Sequence, residues 1–208
     1  MVYYTKNIKM KSENEYIGDD NFKKFLNHYD CPTPLDIVKF RFAGAICSPN
    51  TDLRPTDVIS SFWPENRTPR LETKKEAELF FKFFMGLWDE VFKLISKNNL
   101  TFGKIDKSDD LKEVCLNRYD ILEQGFLEGF WGGMDNVKIP AFIAEIVDSV
   151  SKMAMLYKSM IDKINPDKDN NAVFQAIIEC DKTAEKSIGF IIEHYVLPKI
   201  EDLKRTVH

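Results

Sequence analysis

Between residues 72 and 97 the chain sets Ala77, Phe80, Phe81, Phe84, Trp88, Val91, Phe92 and Ile95 at steps of three and four, with lysines and acids filling the intervals. Only an α-helix brings such positions onto one face. A stripe this long and this apolar has to be covered by other elements, so its aromatic residues read as core and not as a cofactor box. The same period recurs at Ile143, Ile146, Val147, Val150, Ala154, Tyr157 and Ile161. It returns at Val173, Ala176, Ile177, Cys180, Ala184, Ser187, Ile188, Ile191, Ile192 and Tyr195. No stretch alternates convincingly with the period of a strand. The expected fold is all-α, a helical bundle of about six to eight helices.

The shorter elements are set by their punctuation. Residues 19–29 carry Phe22, Phe25, Leu26 and Tyr29 at helical spacing behind Asp19 or Asp20 as a cap. A second helix is expected from about Pro34 to just before Pro49, and a short third one enters through Pro55 and ends at Pro64. Residues 111–133 are helical by pattern, as are 139–164 and 172–196. Residues 1–18 show no stable period and read as a mobile N-terminal tail; 19–208 read as a single all-helical domain, which a chain of 208 residues with 44% hydrophobic content can fill.

Charge and cysteine usage exclude several classes. Up to Lys104 there are 16 basic against 14 acidic residues, and after it 13 against 19. Neither half has the cationic excess that phosphate neutralisation requires, so no nucleic acid is expected as partner. Cys31, Cys47, Cys115 and Cys180 lie far apart with no C-x-x-C pair, which fits reduced, mostly buried thiols and no zinc site. No secretory signal and no membrane span are legible, so the expected location is cytoplasmic. The Asp106 to Asn117 stretch mimics the opening of a calcium loop, but Leu111 stands where the glycine turn is needed; "NPDKDNNA" fails in the same way at Ala172. With only His28, His194 and His208, and no H-E-x-x-H, G-x-S-x-G or phosphate loop, no catalytic, metal or cofactor residues are assigned.

The segment "LEQGFLEGFWGG", residues 122–133, interrupts this picture with four glycines. Inside a helix each costs about 1 kcal/mol relative to alanine. Gly125 and Gly129 are four apart, on one strip, where a second helix can approach closely enough for dispersion to offset that loss. Gly132 and Gly133 read as the helix terminus, with one in the left-handed cap position. Phe126, Phe130 and Trp131 lie off the strip, and two readings stay open for Phe130 and Trp131: core, or anchors for a partner segment.

The order of these features resembles the YgfB/YecA-like family of uncharacterised bacterial proteins. A helix runs into the turn "AGAICSPN", with Gly44 and Pro49. Pro55 opens a helix that ends near Trp63, and a later helix carries "GFLEG", from Gly125 to Gly129. The resemblance covers about residues 35–160, leaving a C-terminal helical extension of about 169–208. It implies an all-helical fold and self-association and supplies no catalytic residues. Two departures stand out. The first motif of the family usually has an acidic or histidine residue followed by glycine, phenylalanine and leucine, where this chain has "FRFAGA" with Arg41. The cysteine-rich, metal-binding tail of some relatives is missing, since no cysteine follows Cys180.

The function expected from these readings is that of a non-enzymatic protein-binding adaptor or regulator, with another protein as partner and a possible homodimer through residues 77–95 or 173–195. The alternative is an enzyme or metal-binding protein whose site is assembled between helices.

Overall fold

The structure is a computed structural model that describes residues 15–64, 67–134, 137–165 and 169–198. Among these residues the regular elements are all helical: α1 (Asp19–His28), α2 (Leu35–Ile46), α3 (Pro55–Ser60), α4 (Lys74–Ser96), α5 (Leu111–Asp120), α6 (Glu128–Trp131), α7 (Ala141–Ile161) and α8 (Asn171–Tyr195). A seven-residue π-helical segment, Ile121–Leu127, joins α5 to α6. The three form one unbroken rod, because Asp120, Ile121, Leu127 and Glu128 all keep right-handed helical dihedrals. The all-α bundle expected from the sequence is the fold that forms.

Helix α4 starts where the Thr73 hydroxyl accepts the Glu76 amide at 3.1 Å, while the Glu76 carboxylate turns back to the Glu72 amide at 2.8 Å. The hydroxyl satisfies one donor of the first turn, and the carboxylate fixes the chain just before the cap. Its stripe then fills an aromatic half of the core. Phe84 meets Phe22, Phe25, Phe42, Phe62, Trp63 and Phe80 at ring-centroid distances between 5.0 and 6.3 Å. Each such pair adds about 0.5–1.5 kcal/mol beyond the area it buries. The second half of the core is mostly aliphatic and lies among α5, α7 and α8. Helices α7 and α8 run antiparallel, as the pairs Ser149–Ser187 and Tyr157–Asp181 show.

Helix α2 joins the two halves. Nine of its twelve residues are buried, among them Ile37, Val38, Phe40, Phe42 and Ala43. A helix buried over most of its surface has to run through the middle of a fold. It packs on α1, α3 and α4 on one side and, most extensively, on the π segment and α6 on the other.

The expected tail needs one correction. Residues 1–14 lie outside the described residues, but residues 15–18 belong to the fold. Tyr16 and Ile17 pack against the core, and the Tyr16 hydroxyl donates to Asp19 at 2.6 Å. The reason is Gly86 on α4: a Cβ there would stand 2.9 Å from the Glu15 carbonyl oxygen, so the missing side chain makes the seat for this strand of backbone. The cap of α1 is correspondingly Gly18, at φ 82°, and not Asp19, whose carboxylate is engaged by Tyr16 and Lys39.

Candidate functional site

The two glycine-bearing segments singled out in the sequence meet each other. Gly44 of α2 faces the π segment so closely that a Cβ on it would collide with the Phe126 carbonyl and stand 2.7 Å from the Phe130 nitrogen. From the other side, a Cβ on Gly129 would collide with the Arg41 carbonyl and reach 3.0 Å from the Ala45 nitrogen. Gly125 is less tight, with 3.0 Å to Phe40 Cβ. Backbone thus packs on backbone, and the contact is too close for any side chain to intervene.

Arg41, which the sequence marked only as a departure from a motif, is the polar centre of this crossing. It is 5% exposed, yet all its charge-bearing groups are used. Its Nε donates to the Gln124 carbonyl at 2.7 Å, one terminal nitrogen to the Ser61 carbonyl at 2.8 Å, and the other to Glu128 Oε2 at 2.9 Å. The guanidinium lies 5.5 Å from the Phe62 ring centre. Burial lowers its pKa from the usual arginine range, and the Glu128 carboxylate opposes that shift.

The Gln124 bond accounts for the π segment. The Glu128 amide bonds the carbonyls of Glu123 and Gly125, passing over that of Gln124. A carbonyl skipped in a widened turn and left buried costs about 1–3 kcal/mol, and Arg41 supplies its partner. The fork of one arginine therefore ties α2, α3, the π segment and α6 together. An arginine set between Phe40 and Phe42 in "LDIVKFRFAGAI" was the available signal, since a charge between two apolar aromatics has to find partners on other elements.

The remaining candidates divide by burial. Phe126 and Phe130 are fully buried and lie nearly parallel at 6.3 Å. Phe130 also meets Tyr195 of α8 at 6.0 Å, so it is a core residue and is closed to a partner. Trp131 is half-buried at the end of the rod, edge-on to Phe130 at 5.1 Å. Gly132, at φ 54°, and Gly133, at φ 73°, turn the chain away behind it. Trp63 is buried and donates its indole N–H to the Tyr29 carbonyl at 3.0 Å, tying α1 to the end of the Pro55 helix. Pro49 lies in the turn that follows α2.

Trp131 stands on one wall of an open groove between the rod and α7. Leu127 and Val147 are its buried apolar residues, and Glu123, Glu128 and Asp148 bring three carboxylates to it; neither lysine nor arginine lines it. Glu123 accepts from Ser151 at 3.3 Å, and Asp148 pairs with Lys152, one turn along α7, at 2.5 Å.

A second buried polar group lies in the aliphatic half. Asp181 Oδ1 accepts from the Tyr157 hydroxyl at 2.6 Å and from Arg118 Nε at 3.2 Å. Arg118 also donates to the Gly103 carbonyl and lies 4.9 Å from the Phe102 ring centre, while Glu185 accepts the Phe102 amide at 2.7 Å. Burial raises the pKa of both Asp181 and Glu185. Burial also pushes the Cys115 thiol up to about 11. The hydrogen bonds of this network clip the α4–α5 connection to α8. Cys47, Cys115 and Cys180 are buried and Cys31 is partly so. The first stretch that mimics a calcium loop uses Asp110 to cap α5 through the amides of Lys112 and Glu113. Among the described residues no group of three His, Cys, Asp or Glu side chains is placed to share a metal ion. Nor is any described helix long and apolar enough to cross a membrane. In comparisons with family models, curated proteins and solved structures, nothing matches this chain.

Proposed function

We propose that this protein is a non-enzymatic, cytoplasmic adaptor or regulator of YgfB/YecA-like type, which holds another protein through the Trp131 face of the helical rod. The observation that carries the reading is the position of Trp131: a large amphipathic side chain, partly open to solvent, fixed at the end of a crossing closed backbone on backbone. Aromatic residues held in this way make strong anchors at little entropic cost. Glycines from the first and last motifs of the resemblance meet at one backbone contact, Gly44 against the π segment and Gly129 against α2, which supports treating those motifs as one unit. Self-association through α4 or α8 is compatible with this role.

An affinity pull-down with intact protein tests it, with Trp131→Ala and Gly129→Leu as parallel baits and folding checked by circular dichroism. Wild type should capture one dominant protein. Folded Trp131→Ala should lose it, whereas Gly129→Leu should lose helicity. Retention of the partner by folded Trp131→Ala would move the binding surface elsewhere.

A further inference from the structure

We infer that the groove beside Trp131 selects a basic amphipathic helix of another protein, one with lysines or arginines at three- and four-residue spacing along an apolar face. The inference rests on the adaptor reading and adds the chemistry of the partner. Its argument is charge complementarity over an apolar floor. Leu127 and Val147 lie in the groove between two helical walls, the setting in which a third helix packs its own ridge. Glu123 and Glu128 stand on one wall and Asp148 on the other, with no cation among the lining residues. The Glu128 side chain keeps half its surface open even though Arg41 holds its carboxylate from below.

Asp148 and Lys152 are both largely exposed, at 59% and 70% of their side-chain surface. A surface pair of that kind contributes little, so an incoming cation displaces Lys152 easily. An arginine of the partner gains further from the Trp131 ring, over which a guanidinium is attracted by the aromatic quadrupole. An acidic segment would meet Glu123 and would have to approach Glu128 and Asp148 without a cation to offer them, since Arg41 already holds the one and Lys152 the other, which is how such a groove disfavours the wrong partner.

The test is a selection of random 16-residue peptides, displayed on phage, on the immobilised full chain. It is repeated on Trp131→Ala and on the double variant Glu123→Gln/Asp148→Asn, whose amides keep the local acceptors. Enriched peptides should carry net positive charge with Lys or Arg at helical spacing. Their binding should shift the Trp131 indole signal, one of three tryptophan indole signals in the NMR spectrum. The double variant should bind them roughly tenfold more weakly, the loss of two exposed pairs. Enrichment of neutral or acidic peptides, or of basic ones indifferent to the double variant, would overturn the inference and leave the adaptor reading standing. No enrichment on wild type, or enrichment unaffected by Trp131→Ala, would overturn both.

Discussion

At the scale of single residues, space and charge decide more than propensity does. Gly44→Ala adds one methyl group, an improvement for an isolated helix, yet here it enters the backbone of the π segment. The expected outcome is a loss of about 3 kcal/mol or more, at the upper end for overpacking because backbone cannot move aside as a side chain does. Urea midpoints at constant slope would measure it. Gly133→Ala, where a Cβ meets nothing within 4 Å, should cost only about 1 kcal/mol, for the positive φ alone. Arg41→Ala strips partners from the Gln124 and Ser61 carbonyls and should destabilise by about 3 kcal/mol. Arg41→Lys should recover little of it, because a single ammonium lacks the planar fork that spans three elements. A Lys variant as stable as wild type would show that charge alone matters at this position.

At the scale of elements, periodicity made the long helices legible, and hydrogen-bond register escaped it. Helices α4, α7 and α8 start and end within about three residues of where their apolar stripes do, because each buries one face and exposes the other. The glycine strip was legible too, since Gly125 and Gly129 needed a reason to be in a helix. The π segment was not. One widened turn changes which carbonyl each amide meets and leaves no mark in the side-chain pattern; its only sequence trace is Arg41, some 80 residues away. Helix α2 escaped the stripe criterion for the opposite reason: it is buried nearly all round, so only its prolines bounded it. Of the groove, Trp131 could be singled out beforehand, but the acidic rim could not, because Asp148 joins Glu123 only once α7 has packed. The widened turn also makes a sharp prediction. Deleting Leu122 takes out the extra residue of the widened turn, so ordinary i→i−4 bonding returns and Gly129 keeps facing the Arg41 backbone. The Gln124 carbonyl then accepts the Glu128 amide and no longer depends on Arg41, so the variant should unfold cooperatively with its near-ultraviolet dichroism kept, and adding Arg41→Ala should cost it less than it costs the wild type in urea titrations.

At the scale of the whole molecule, the buried network around Asp181 and the exposed carboxylate of Asp19 give stability pH dependences of opposite sign. Burial raises the pKa of Asp181 and Glu185, against the opposing hydrogen bonds from Tyr157, Arg118 and Phe102. In the window between the ordinary carboxylate range near pH 4 and their raised values, the folded chain holds more protons than the unfolded one. Their contribution to stability is therefore greatest at the acidic end and falls as pH rises through the folded values. Asp19 acts oppositely: burial raises its pKa, but Lys39 and Tyr16 outweigh that and hold it low, so its contribution disappears on acidification. Asp181→Asn removes one titrating group and keeps the acceptor. Its destabilisation relative to wild type should shrink as pH rises from about 4 through the folded value of Asp181 in paired urea titrations. A constant difference would mean that Asp181 titrates alike in both states.

The position of α2 between the two halves also orders events during synthesis. Its aromatic-side partners reach only to residue 96, but its other face waits for residues up to 131. At roughly 5–20 residues per second, a ribosome leaves Ile37, Phe40 and the backbone of Gly44 uncovered for on the order of ten seconds. The nascent amino-terminal half is thus a client for any chaperone that recognises an apolar helix, until the glycine-bearing rod arrives and closes it. Stalled chains ending before residue 125 should be cut by protease within α2, and chains with the rod fully emerged should resist.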